Sequence, residues 1–320
     1  MKKYTHAWLA FKAIERLEKA SLEPADRTVA NSLIEWFKNH RDGVIRGAWY
    51  PDTMIRDNAS SHILKIAPVK KNASPYLFKS LPKEYLISDL TKTSPLLAES
   101  FTIDKKTNLP DRCESMTHSV VDHLKTRECE DKGSPVSPND NQIALLLFML
   151  SHYVADGHVP FHCDARQFSE GENLHGHVED VWDETIDQCY RIDKPNERFF
   201  YNPGGYPLQN PSSVAAYESS FLKKVDDNLG LRTFSKNFGA DNNNVWDFMS
   251  AICQRSFVHS YSLIPEAYDH TNVTLGNWQS LSSLPFEDST IAVLSDAIDS
   301  ISRIWFRLWQ RYLKWQAERS

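Results

Sequence analysis

Between Ser151 and Glu179 the chain gathers His152, Asp156, His162, His175 and Glu179, a dense set of side chains able to bind a metal or move a proton. His152 and Asp156 stand four residues apart, as do His175 and Glu179, and on a helix that spacing gives imidazole and carboxylate a common face. Nitrogen and oxygen donors without thiolate favour zinc ahead of iron or manganese, and they suit a catalytic centre better than a structural one. A single His-x-x-x-Asp is ordinarily a hydrogen-bonded pair inside a fold. Two such pairs with His162 between them would leave several ionisable groups buried and uncompensated unless a cation held them together.

These residues need elements to carry them. The run Ile143 to Leu150 is apolar throughout, which predicts a buried helix that delivers His152 and Asp156 into the interior. Gly157 and Pro160 should end it and turn the chain so that His162 points back. Asn173 is a predicted N-cap for a second short helix bearing His175 and Glu179. Val181-Trp182-Asp183 continues that helix, with Asp183, His158 and His177 expected to hydrogen-bond ligand histidines rather than to ligate. Upstream, Thr5 is expected to cap a first helix with His6, Ala10, Ala13 and Leu17 on one side; a lone histidine in such a first turn is ordinarily structural or exposed. Val29, Leu33, Trp36 and Phe37 predict a second helix ending near residues 39–43. Pro51-Asp52 should then break a helix, and Asp52 either caps the next one or offers a carboxylate from a loop.

The order His-x-x-x-Asp, a histidine six residues later, then His-x-x-x-Glu resembles the zinc-dependent phospholipase C family, which shares its trinuclear site with the fungal single-strand-specific zinc nucleases. Gly47-Ala48-Trp49-Tyr50-Pro51-Asp52 is similar to that family's Gly-Ala-x-x-Pro-Asp segment, and His6-Ala7-Trp8-Leu9 to its first-helix start. The nucleases end the last pair in Asp, whereas this chain has Glu179, as the phospholipases do. The resemblance implies an all-α fold, a single multi-helix domain over 1–320 with its ligands within 1–185, and about three zinc ions. One ion would sit on Asp52, His62, His152 and Asp156, and a second on His162, His175 and Glu179. The third would take His6, the Met1 amine and carbonyl, and Asp156 as a bridge. Asp52 and Asp156 are the catalytic candidates, and the implied reaction is phosphodiester hydrolysis by metal-activated water. The ten residues from Asp52 to His62 are fewer than the family pattern has, so Asp57 competes with Asp52 as ligand.

Composition bounds the alternatives. With 320 residues, a formal charge of -6 and a pI near 6.1, the chain is an ordinary globular protein without the basic face that tight duplex binding needs. Five irregularly spaced cysteines point to reduced thiols. No apolar run approaches eighteen residues, and no secretory signal is recognisable. The chain as it stands therefore reads as cytoplasmic, or as secreted if a precursor segment is missing. A phospholipase C would need an apolar approach for acyl chains, and a nuclease aromatic shelves for unpaired bases. A non-catalytic metal-binding protein would need its open metal positions filled by protein groups. Expected partners are a phospholipid or single-stranded nucleic acid substrate and a transient membrane surface, with no obligate protein partner. Helices are expected over 246–259 and 289–316, the latter with a stripe of Trp305, Trp309 and Tyr312 that suits core packing more than membrane docking. Residues 64–140 read as loops and short helices that shape a substrate entrance, apart from a helix around Met116 to Leu124 whose His118 and His123 are expected at the surface or as hydrogen-bond partners of a ligand rather than as ligands.

Overall fold

The computed structural model describes residues 1–56, 59–69, 82, 84–87, 100–131, 133–239 and 244–319. Its helices, in chain order, are α1 (Lys3–Lys19), α2 (Pro24–His40), α3 (Val44–Tyr50), α4 (Leu109–Cys129), α5 (Asp140–Asp156), α6 (Pro160–Cys163), α7 (Leu174–Cys189), α8 (Val214–Ser219), α9 (Phe221–Leu231), α10 (Val245–Leu263), α11 (Trp278–Leu281) and α12 (Phe286–Ala317). Two small antiparallel ribbons accompany them, β1 (Ile66–Val69) with β2 (Ser100–Ile103), and β3 (Ile192–Asp193) with β4 (Arg198–Phe199). The fold is all-α. The loops expected over 70–81 and 88–99, and Asp57, lie outside the described residues.

The central helix α5 starts at a capping box: the Asn139 side chain accepts the Gln142 amide at 2.9 Å, and the Gln142 side chain accepts the Asn139 amide at 2.9 Å. Those reciprocal bonds satisfy two of the donors that a helix start leaves open. Packed by α1, α3, α4 and α12, α5 buries His152 and Asp156 along with its apolar run. It ends at Gly157, as expected, and Pro160 opens the next short helix.

Gly47 sets how closely α3 rides on α5. A Cβ there would sit 2.8 Å from a ring carbon of Phe148, so a bare backbone is what allows the contact. The expected break at Pro51 comes later: the chain continues through a π-type turn, Pro51–Ile55, and leaves it only at Arg56, in the left-handed region with φ 47°. Proline's fixed φ is helical, and the wider turn accommodates the missing N–H. α1 likewise begins at Lys3 rather than after a Thr5 cap.

α12 closes the bundle against α1, α4, α5 and α9. Trp305, Trp309 and Tyr312 are all buried, with Trp309 packed on Trp36 at 5.2 Å and Trp305 on Phe37 at 5.8 Å between ring centroids. The stripe is core, which removes it as a membrane-docking face. No described helix is long and apolar enough to cross a membrane.

Candidate metal centre

Four helices and one turn converge at the C-terminal end of α5. α5 brings His152 and Asp156, α6 brings His162, α7 brings His175 and Glu179, α1 brings His6 with Met1 just ahead of it, and the π-type turn brings Asp52. His62 follows a short 3-10 turn and is buried beside them. Each of these expected residues therefore lies in one cluster.

Asp156 is its middle. Oδ2 lies 2.9 Å from His62 Nδ1 and 3.2 Å from His152 Nε2. Oδ1 faces the other way, 3.3 Å from the Met1 amine and 3.5 Å from His6 Nε2. Asp52 Oδ1 stands 3.6 Å from both His62 Nδ1 and His152 Nε2. On the α7 side, Glu179 Oε1 lies 2.6 Å from the Met1 amine, 2.8 Å from His175 Nε2 and 3.4 Å from His162 Nε2. The carbonyl of Met1 is 3.1 Å from His6 Nε2. Three groups have mutual spacings that would suit a metal ion: His6 with His152 and Asp156; Asp52 with His62 and His152; and His162 with His175 and Glu179.

Backbone oxygens orient the rings. His152 Nδ1 donates to the Ala48 carbonyl at 2.7 Å, and His162 Nδ1 donates to the His62 carbonyl at 3.0 Å. A ring that donates through Nδ1 keeps Nε2 as a lone pair, which is the form a metal accepts. His175 Nδ1 lies 3.1 Å from the Ser169 hydroxyl, which can either donate or accept. The His6 and His152 rings stack at 3.8 Å, so neither can turn away without displacing the other.

Burial sets the protonation. It pushes His6 far below the usual histidine range and His162 down to about 4, so both rings are neutral at pH 7. Burial alone would raise Asp156 and Glu179, but the Met1 ammonium and the adjacent histidines outweigh it and hold both carboxyls well below their ordinary values. Asp52, farther out, is raised by burial, with His152 working against the rise. The Met1 amine would be lowered by burial, yet Glu179 and Asp156 lift it to about 10. Its release of a proton to a metal is thus harder than for an ordinary terminal amine near 8. The donor set fits a cation: the neutral His6 and His162 rings and the ionised carboxylates of Asp156 and Glu179 are buried around one point and face it with nitrogen and oxygen donors.

The secondary assignments fare differently. Asp183 does not orient a histidine; its Oδ1 accepts the backbone amides of Tyr4 and Thr5 at 2.7 and 2.8 Å. The reason is that α1 starts three residues earlier than a Thr5 cap would set it and presents open amides there. His158 bonds Ser300 at 2.9 Å on α12, and His177 is half-buried on α7. His118 pairs with Glu114, and His123 meets the Ser119 carbonyl. All five cysteines are free thiols. Sequence reasoning missed the Ala48 carbonyl as a ring-orienting acceptor, since any residue type supplies one. It also missed Lys65, whose Nζ donates to the Phe161 carbonyl at 2.6 Å and braces α6 beside His162.

No family model and no curated relative matches the chain. Among solved structures it is similar to the alpha-toxin of Clostridium perfringens from an avian strain, at 18% identity and TM-score 0.42, over 96% of this chain and 63% of that one. It is also similar to the alpha toxin of Clostridium absonum, at 14% identity and TM-score 0.40, over 95% of this chain and 65% of that one. The chain spans less than two thirds of the length of either.

Proposed function

We propose that the cluster holds about three zinc ions and that the protein is a phosphodiester hydrolase of the phospholipase C kind. The observation that carries the reading is Asp156, whose two oxygens face separate groups of donors, as a carboxylate shared between two ions would. Asp52, His62 and His152 would complete one ion's set, His6 and Met1 a second, and His162, His175 and Glu179 a third. Zinc in such a site supplies Lewis acidity toward phosphoryl oxygens and lowers the pKa of water.

The chain's own groups have distinct tasks. Ala48 and the His62 carbonyl hold His152 and His162 in the ligating tautomer. Asp156, with its side chain 1% exposed, is shut away from solvent and serves position and charge; Asp52, at 32%, is the carboxylate a substrate or water can reach. Its open setting suits it to take the proton of the attacking water. Beyond it on the same turn, Met54 and Ile55 are 60% and 41% exposed. An apolar lip beside the reachable carboxylate suits an acyl-bearing substrate better than a polyanion, and the net charge of -6 points the same way.

Parallel assays of one zinc-loaded sample on phosphatidylcholine vesicles and on single-stranded DNA test the proposal. Release of phosphorylated head group, abolished by chelator and restored by zinc, is the expected result. Cleavage of DNA without lipid hydrolysis would move the protein to the nucleases, and inertness toward both would end the enzymatic reading.

A further inference from the structure

We infer that Asp183 is a positioning residue for the metal centre, seating residues 1–6 by capping α1 from a different helix; the role rests on the metal reading above. α1 has no cap of its own. Lys2, at the N-cap position, offers no acceptor, and the first turn contains no acidic residue. Lys2 and Lys3 even place positive charge at the positive end of the helix dipole, which is unfavourable. Asp183 supplies what is missing: Oδ1 accepts the amides of Tyr4 and Thr5 at 2.7 and 2.8 Å and lies 3.2 Å from the Thr5 hydroxyl. Its negative charge also sits where the dipole favours one.

The register along α7 makes this a matter for the site. Glu179 holds the Met1 amine, Asp180 pairs with Lys2, and Asp183, one turn after Glu179, holds the start of α1. Three acidic residues on one helix thus follow the first five residues of the chain. Beyond the cap, His6 N donates to the Lys2 carbonyl at 3.0 Å, so the turn that Asp183 fixes includes His6 itself. Fixing that turn fixes where His6 Nε2 meets the Met1 carbonyl, and where His6 Nε2 and the Met1 amine stand against Asp156. Asp183 itself is half-buried and bonds to α1, acting on the centre through the residues it seats.

The experiment compares the parent protein with Asp183→Ala and Asp183→Asn by amide hydrogen exchange over residues 1–10 and over α12, in chelator and after zinc loading, together with zinc content after dialysis. Losing the cap in Asp183→Ala should speed exchange in residues 1–10 roughly 5- to 30-fold, with α12 unchanged. Zinc content should fall by about one ion per chain, while Asp183→Asn, which keeps an acceptor oxygen, restores both readouts. Unchanged exchange and zinc content in Asp183→Ala would overturn the seating role while leaving the metal reading standing. Equal acceleration in residues 1–10 and α12 would also overturn it, by showing only general loosening. A parent protein that binds no zinc, in which Asp183→Ala still loosens residues 1–10 alone, would defeat the metal reading and with it the role assigned to Asp183 at that centre.

Discussion

Asp156 stands between two sets of donors with an oxygen toward each, and that division makes its charge as important as its shape. Asp156→Asn preserves the outline but replaces one oxygen with an amide and removes the charge that offsets neighbouring cations. Turnover of a phosphodiester substrate should drop about 1,000-fold or more, with a loss of bound zinc measured by elemental analysis. Near-normal turnover would show that Asp156 does not join two ions. The residues around it were unequally legible in the sequence. His152 with Asp156 and His175 with Glu179 could be paired because i, i+4 spacing is local information. His6 and Asp52 are lone residues far from those pairs, with no local partner in the sequence to mark them, and only the folded chain brings them to His152. The acceptor that orients His152 is a main-chain oxygen 104 residues away, for which no side-chain pattern exists.

Helix contacts decide whether those residues meet. α3 lies close enough on α5 for the Ala48 carbonyl to reach His152 because Gly47 has no side chain against Phe148. Gly47→Ala gains about 1 kcal/mol of helix propensity but must push apart a tight backbone-to-ring contact, which costs roughly 1–3 kcal/mol. The net expectation is loss of about 1 kcal/mol in denaturant unfolding. Zinc affinity should weaken as well, because the acceptor of His152 moves with α3; a variant more stable than the parent with unaltered affinity would refute this. At this scale the sequence announced α5 clearly through its apolar run, whereas Pro51 misled, since a proline at the start of a wider turn does not stop the chain. α9 buries Leu222, Val225 and Leu229 along one side, a periodicity present in the sequence but short and embedded among lysines and aspartates. The β1 and β2 ribbon was hidden because its partners lie more than thirty residues apart and Pro68 interrupts the strand signal.

For the molecule as a whole, acid should be more damaging than the modest net charge implies. His259 is wholly buried on α10, bonded to Ser289 at 2.8 Å, and burial lowers its pKa from 6.5 to about 4. Because the folded value is the lower one, an unfolded chain takes up the proton first as pH falls. The stability owed to neutral His259 is therefore complete above pH 6.5 and is lost progressively down to about pH 4, a change of roughly 3 kcal/mol. Denaturant unfolding in chelator at several pH values, comparing the parent with His259→Gln, should show a shallower pH slope in the variant; equal slopes would exclude His259 as a source. The all-α class was readable from helical periodicity and the lack of a strand series, while the way the bundle closes was not, since α12 packs on α1 across nearly the full length of the chain. That closure has a kinetic side. The contact between the Met1 amine and Glu179 spans 178 residues, and Ser302 donates to the Ala13 carbonyl across 289. Joining such distant segments carries a loop-closure entropy that local helices do not meet, so these contacts belong to the slow end of folding. The full donor set cannot exist in a half-folded chain. Zinc should thus leave the refolding rate measured in stopped flow unchanged and slow only the unfolding, so that the ion is loaded into a finished protein rather than acting as its nucleus.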